Sequence, residues 1–140
     1  MEQSLVLIKP DGVQRSKVGE ILTRFERKGL KIEALKMIWL DEDLAREHYS
    51  EHKGKDFFPG LIDYITEAPL VALVVSGEQV IGVIRKMMGA TDPIEADPGT
   101  IRGDLASDLE QGNLLHASDS KESAEREIEL FFAAEEIYSY

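Results

Sequence analysis

His116 ends the short apolar run Leu114-Leu115 and precedes the small polar turn Ala117-Ser118-Asp119-Ser120. An imidazole at such a junction is held by a strand while facing a cleft. Such an imidazole is a candidate for nucleophilic or acid–base chemistry. Taken alone, it also reads as a core histidine bonded to a backbone group. Its surroundings supply phosphate-binding chemistry. The long segment 90–113 carries Thr91, Thr100, Arg102 and Asn113, all able to bond phosphate or sugar oxygens. Arg85 lies just before that segment, and Lys9 precedes the turn signal Pro10-Asp11-Gly12. Arginine offers a planar fork to phosphate oxygens, and lysine a compact charge. Each cation taken singly also fits a surface ion pair.

Other chemistries are poorly supported. Gly54-Lys55 is followed by Asp56 and lacks the upstream glycine of a P-loop, and no Gly-x-Gly-x-x-Gly follows any strand. With no cysteine, disulfides, thiolate metal sites and thiol catalysis are excluded. His48 and His52, four residues apart, read as a solvated helix end rather than a metal pair. The net charge of −11 argues against gripping a nucleic-acid backbone or an anionic membrane. The N-terminus carries only a short apolar run broken by Lys9 and Pro10, so neither a leader nor a membrane span is read there. The absence of cysteine fits the cytoplasm, which is the compartment expected.

The elements that must position these groups follow from periodicity. Leu5 to Ile8 reads as a buried strand stopped by a turn at Pro10-Asp11-Gly12. Val18, Ile21, Leu22 and Phe25 share one helical face, closed by Lys28-Gly29. Leu30 to Leu40 partly alternates, which predicts a strand with a bulge near Leu35. Asp41 or Asp43 caps a short helix running to about His48, and another helix spans Phe57 to Thr66. Leu70 to Val75 is a continuous β-branched run, a central strand, and Val80 to Met88 a helix. Residues 90–113 have no sustained period, and so long a loop in a compact domain is usually functional. Leu114-Leu115 predicts a very short strand, and Ala124, Ile128 and Phe131 a last helix capped near Ser118 to Ser120. The 140 residues are expected to form a single domain, 1–140. The order is βαββαβ with extra helices. This is an α+β, ferredoxin-like antiparallel sheet with helices on one face.

The chain closely resembles the nucleoside diphosphate kinase family. The likeness is carried by Ile8-Lys9-Pro10-Asp11-Gly12-Val13, Phe57-Phe58-Pro59-Gly60-Leu61 and Pro98-Gly99-Thr100-Ile101-Arg102-Gly103-Asp104. It continues through Asn113-Leu114-Leu115-His116-Ala117-Ser118-Asp119-Ser120 and Ser123-Ala124-Glu125-Arg126-Glu127-Ile128. It spans about Leu5 to Phe132. The resemblance implies transfer of the terminal phosphate of a nucleoside triphosphate to a nucleoside diphosphate. His116 would carry the group in a ping-pong cycle. Lys9, Tyr49, Arg85, Thr91 and Arg102 match phosphate-holding positions. Asn113 and Lys9 match ribose contacts, and Phe57 the aromatic stacked on the base. Glu127 matches the acid bonded to the catalytic ring, and Ser118 the hydroxyl bonded to that acid. The resemblance further implies broad base specificity, a Mg²⁺-bound nucleotide and a homo-oligomer, tetramer or hexamer.

The residue types suit that chemistry. A phosphohistidine has a reactive P–N bond, so the group can be handed on, whereas a serine ester would be too stable. Stacking on Phe57 tolerates any base, because every base has a π face. No carboxylate cage for a metal is evident, so Mg²⁺ is expected to be carried by the phosphates and water. The chain departs from the family at Leu105 to Gly112, where Gln111-Gly112 stands in place of the usual Gly-Arg before the asparagine. That departure bears on base contacts and assembly. It also supports a rival reading, a nucleotide-binding module without turnover.

Overall fold

In the computed structural model, all residues 1–140 are described. The strands are β1 (Glu2–Ile8), β2 (Lys31–Ile38), β3 (Leu70–Gly77) and β4 (Leu115–Ala117). The helices are α1 (Pro10–Gln14), α2 (Val18–Arg27), α3 (Glu42–His48), α4 (Phe58–Ile65), α5 (Val80–Met88), α6 (Ile101–Leu105) and α7 (Lys121–Phe131). The strands form one antiparallel sheet in the order β2-β3-β1-β4. With the βαββαβ order this is the ferredoxin-like α+β fold read from the sequence.

The apolar runs sit where periodicity places them. Leu5 to Ile8 and all of β3 are buried, in line with their continuous hydrophobicity. Burial of consecutive residues means that both faces of the central strands are covered, which corrects the expectation of helices on one face only. The α2 face formed by Ile21 and Phe25 joins the same core cluster as β1 and β3. Helix ends are set by capping side chains. Asp41 accepts from Leu44 N–H at 2.8 Å, Thr100 from Gly103 N–H at 3.0 Å and Ser120 from Ser123 N–H at 3.1 Å.

Three local readings are corrected. Pro10-Asp11-Gly12 opens helix α1 rather than a simple turn, because proline at the first helical position needs no N–H donor. The bulge in β2 falls between Ile32 and Ala34, not near Leu35. Residues 90–113 contain α6, whose five residues are too few to show a helical period.

Candidate active site

The sheet places its reactive residue through β4. His116 lies opposite Leu7 of β1, while its neighbours Leu115 and Ala117 are buried against the core. Alternation along the strand therefore turns the imidazole away from the core face that holds Leu115 and Ala117. Nε2 of His116 lies 3.1 Å from Glu127 Oε2, on a buried turn of α7. The other carboxylate oxygen, Oε1, accepts from Ser118 Oγ at 2.7 Å. Ser118 Oγ in turn accepts from Leu5 N–H at 3.0 Å, anchoring the relay to β1. Burial pulls the Glu127 carboxyl up. Hydrogen bonds from His116 and Ser118 and the adjacent imidazole charge outweigh that, holding it below the ordinary glutamate value. An ionised Glu127 favours the tautomer in which Nε2–H donates, which leaves a lone pair on Nδ1.

Ser118→Ala leaves both the Leu5 N–H and a glutamate oxygen without their partner inside a fully buried site. The expected loss is about 1–3 kcal/mol of stability by urea denaturation. The fall in activity should be smaller, because the His116–Glu127 bond remains. A stability change below about 0.5 kcal/mol would show that water replaces the hydroxyl.

His116 opens onto a cleft of about 320 Å³. Lys9, Tyr49, Phe57, Arg85, Thr91, Arg102 and Asn113 all line it. The structure thus brings every sequence-predicted binding residue to one cavity, with Glu127 and Ser118 behind the histidine. Phe57 is 52% exposed, at the start of α4, as a stacking platform requires. A wider groove of about 500 Å³ runs between the first residues of the chain and α7, but Glu2, Glu125 and Glu129 line it, and it suits no polyphosphate.

The cations differ in how they are held. Lys9 Nζ donates to Asn113 Oδ1, and Asn113 Nδ2 donates to Thr91 O at 2.9 Å. Burial lowers the Lys9 ammonium to about 8, with Asp11 opposing and Arg102 adding to the effect. Lys9 therefore loses its charge as pH rises through about 8 in the free protein. An alkaline limb in kcat/KM near that pH is expected, and Lys9→Arg should shift it upward. An unmoved limb would assign it to another group.

Arg102 is only 6% exposed, and its guanidinium spends much of its capacity on the backbone. Nε donates to Asn113 O at 3.0 Å, Nη1 to Gly89 O at 3.3 Å and Nη2 to Leu115 O at 2.7 Å. Burial, joined by Arg85 and opposed by Asp11, lowers it to about 10, so it stays charged at neutral pH. The sequence reading gave it a phosphate role alone. The structure adds a scaffold role, with two of five N–H groups still uncommitted.

Two residues near the site escaped the sequence reading. Asp11 is buried, and its Oδ2 accepts from Leu114 N–H at 2.9 Å. Leu114 has φ +73, a strained left-handed conformation that turns the chain between Asn113 and β4. Lys9 N–H bonds Leu114 O at 2.8 Å, so the strained peptide is gripped at both ends. Gly112, at φ +99, passes so close to the Asp11 carboxylate that any Cβ would overlap it. Asp11 figured in the sequence only within the turn signal Pro10-Asp11-Gly12 and the family-like segment Ile8 to Val13, with no role of its own.

The second is His48, read as part of a solvated helix end. It is instead 3% exposed, packed edge-on to His116 with ring centroids 4.9 Å apart and edge-on to Phe131 at 5.3 Å. Burial and the His116 charge push it down to about 3, so its ring is neutral. Folding α3 against α7 buries a position that helical spacing alone puts at a charged end. His52, in contrast, is partly exposed beside Lys55.

Known proteins resemble this chain over nearly its whole length. The family pattern described as nucleoside diphosphate kinase matches residues 2–137. A nucleoside diphosphate kinase from Pyrococcus furiosus is 61% identical over 142 aligned positions, covering 100% of this chain and 88% of the relative. One from Methanothermobacter thermautotrophicus is 60% identical, covering 100% of this chain and 93% of the relative. Among solved structures, a halophilic nucleoside diphosphate kinase from Halobacterium salinarum in complex with CDP superposes with a TM-score of 0.95 at 48% identity. That match covers 99% of this chain and 92% of the other. A Borrelia burgdorferi nucleoside-diphosphate kinase, a transition state mimic with bound vanadate and ADP, has a TM-score of 0.92 at 38% identity, covering 99% and 91%. A histidine–glutamate–serine relay facing a cationic cleft, on a fold and sequence matched from end to end, places this chain in the nucleoside diphosphate kinase family.

Proposed function

We propose that residues 1–140 act as one domain that moves the terminal phosphate of a nucleoside triphosphate to a nucleoside diphosphate through phospho-His116. As a member of its family, the chain is an enzyme of the phosphotransferase class. The observation that carries the two-step route is the Nε2–Glu127 contact of 3.1 Å, which leaves the opposite ring nitrogen for attack. In the first step the Nδ1 lone pair forms a bond to the terminal phosphorus while its P–O bond to the diphosphate breaks. Glu127 stabilises the positive charge that develops on the ring. Arg85, Arg102 and Lys9 hold phosphate oxygens in a loose transition state, where positioning and charge do most of the work. In the second step an oxygen of the acceptor diphosphate takes the phosphoryl group, and the electron pair returns to Nδ1.

Tyr49 and Thr91 would bond phosphate oxygens, Asn113 with Lys9 the ribose hydroxyls, and Phe57 the base. No lining residue of the cleft is acidic, so the divalent ion, which we infer to be Mg²⁺, would be held by nucleotide phosphates and water. It would supply charge neutralisation on the phosphates. The nucleotides of the Halobacterium and Borrelia structures, CDP and ADP, fit a cleft with one stacking aromatic and no reader of a base edge. The cytoplasm is the compartment this reading implies, and no helix is long and apolar enough to cross a membrane.

We also infer a homo-oligomer, tetramer or hexamer. Leu35 and Met37 of edge strand β2, with Trp39 one residue past its end, are 53%, 60% and 65% exposed. An edge strand with such a face is a ready surface for a second copy of the chain. Met37→Glu should lower the mass measured by sedimentation, and an unchanged mass would place the interface elsewhere.

The function is tested by incubating the chain with γ-labelled ATP and chasing with GDP. Acid-labile label on the protein, followed by its loss into GTP, is expected. Nucleotide binding with neither label nor GTP would favour a binding module.

A further inference from the structure

His48 has no part in the phosphoryl chemistry above, yet it is buried beside it. Neither of its ring nitrogens has a hydrogen-bond partner. Buried polar atoms in folded proteins are nearly always paired, so an imidazole with both nitrogens unpaired calls for a ligand or a functional reason. One donor atom each of His48, His116 and Glu127 lies within 4.8 Å of the other two. A cleft of about 280 Å³, lined by these three with Tyr49, Arg85 and Asp119, gives a route from solvent.

We propose that His48, His116 and Glu127 form an inhibitory site for a borderline-soft divalent ion of the Zn²⁺ class. Two imidazoles and a carboxylate match the three-ligand sets that leave a fourth, water-filled position. Ligand atoms on a tetrahedral zinc with bonds of about 2.1 Å stand roughly 3.4 Å apart. The His116–Glu127 pair, at 3.1 Å, already meets that spacing. Closing the site needs His48 to swing inward by roughly 1–1.5 Å, starting from unpaired nitrogens that give up no hydrogen bond. Mg²⁺ prefers an all-oxygen shell and keeps its waters, so the ion of the catalytic cycle does not compete here.

The consequence follows from proton bookkeeping and rests on His116 being the nucleophile. An ion bonded to His116 Nε2 takes the place of the proton now shared with Glu127. That proton moves to Nδ1 and occupies the lone pair that attacks phosphorus. Glu127, now on the ion, no longer stabilises charge on the ring.

The test is calorimetric titration of the whole chain with ZnCl₂ in Mg²⁺-containing buffer, for wild type and His48→Phe. The phenyl ring keeps the packing and removes the ligand. One ion per chain is expected on wild type, with affinity reduced at least ~10-fold by His48→Phe. No binding up to about 100 µM, or equal binding by both proteins, overturns the proposal. Should His48→Phe fail to fold, anomalous diffraction at the zinc edge decides for wild-type crystals. A peak among the three side chains supports the site, and a peak only elsewhere overturns it. Phosphorylation by γ-labelled ATP at free Zn²⁺ fixed by a metal buffer is measured separately. Loss of label in step with zinc occupancy supports inhibition. Zinc bound at His48 with labelling undiminished overturns the inhibitory role, whereas no label even without zinc would instead refute the phosphohistidine reading.

Discussion

His116→Ala takes up no acid-labile phosphate from ATP and exchanges phosphate between nucleotides at least ~10⁴-fold more slowly than the wild type, the scale of loss when a covalent nucleophile is removed. The size follows from the geometry. The ring is the group that the Glu127–Ser118–Leu5 relay orients toward the cleft. Alanine leaves the three cations to bind nucleotide as before, so affinity for diphosphates should change little while turnover is lost. Equilibrium binding measured beside the rate separates these effects. A variant that still turns over within tenfold of wild type would mean that phosphate passes directly between nucleotides.

Arg102→Ala has the next largest effect, and it falls on stability and rate together. The guanidinium ties Gly89 after α5, Asn113 in the loop and Leu115 in β4. Removing it strips three carbonyls of a charged donor. About 3 kcal/mol of stability should be lost, given ~1–3 kcal/mol for each partner removed and incomplete additivity. The rate should drop ~10²–10³-fold through the lost phosphate contact and a loosened Asn113. Arg102→Lys keeps the charge but cannot reach three carbonyls from one ammonium, so it should recover affinity better than stability. Urea denaturation and kcat/KM on the same samples check this. Loss of rate at full stability would reduce Arg102 to a phosphate ligand.

The fold was legible because its core strands announce themselves. Leu5 to Ile8 and Leu70 to Val75 are unbroken apolar runs, and burial on both faces is what such runs mean. Helix α6 was not, because five residues show no period. The cleft was legible as a set of residue types around His116, and the family resemblance gave each a role. Its supports were not. Asp11 acts by gripping a peptide at positive φ that lies 103 residues away in sequence. His48 owes its burial to α3 packing on α7, a contact no local spacing encodes.

The net charge of −11 argues against gripping a long phosphate backbone. It leaves room for a focused phosphate site, and Lys9, Arg85 and Arg102 are gathered in one cleft. A mononucleotide needs no more than this focused site, with a divalent ion offsetting part of its charge.

The central claim is that His116 carries the phosphate between two displacements, and stereochemistry at phosphorus tests it most directly. With ATP made chiral at the terminal phosphate and GDP as acceptor, each in-line displacement inverts the phosphorus. Two displacements through His116 give GTP with retained configuration. Inverted GTP would mean a single direct transfer and would contradict the role assigned to His116.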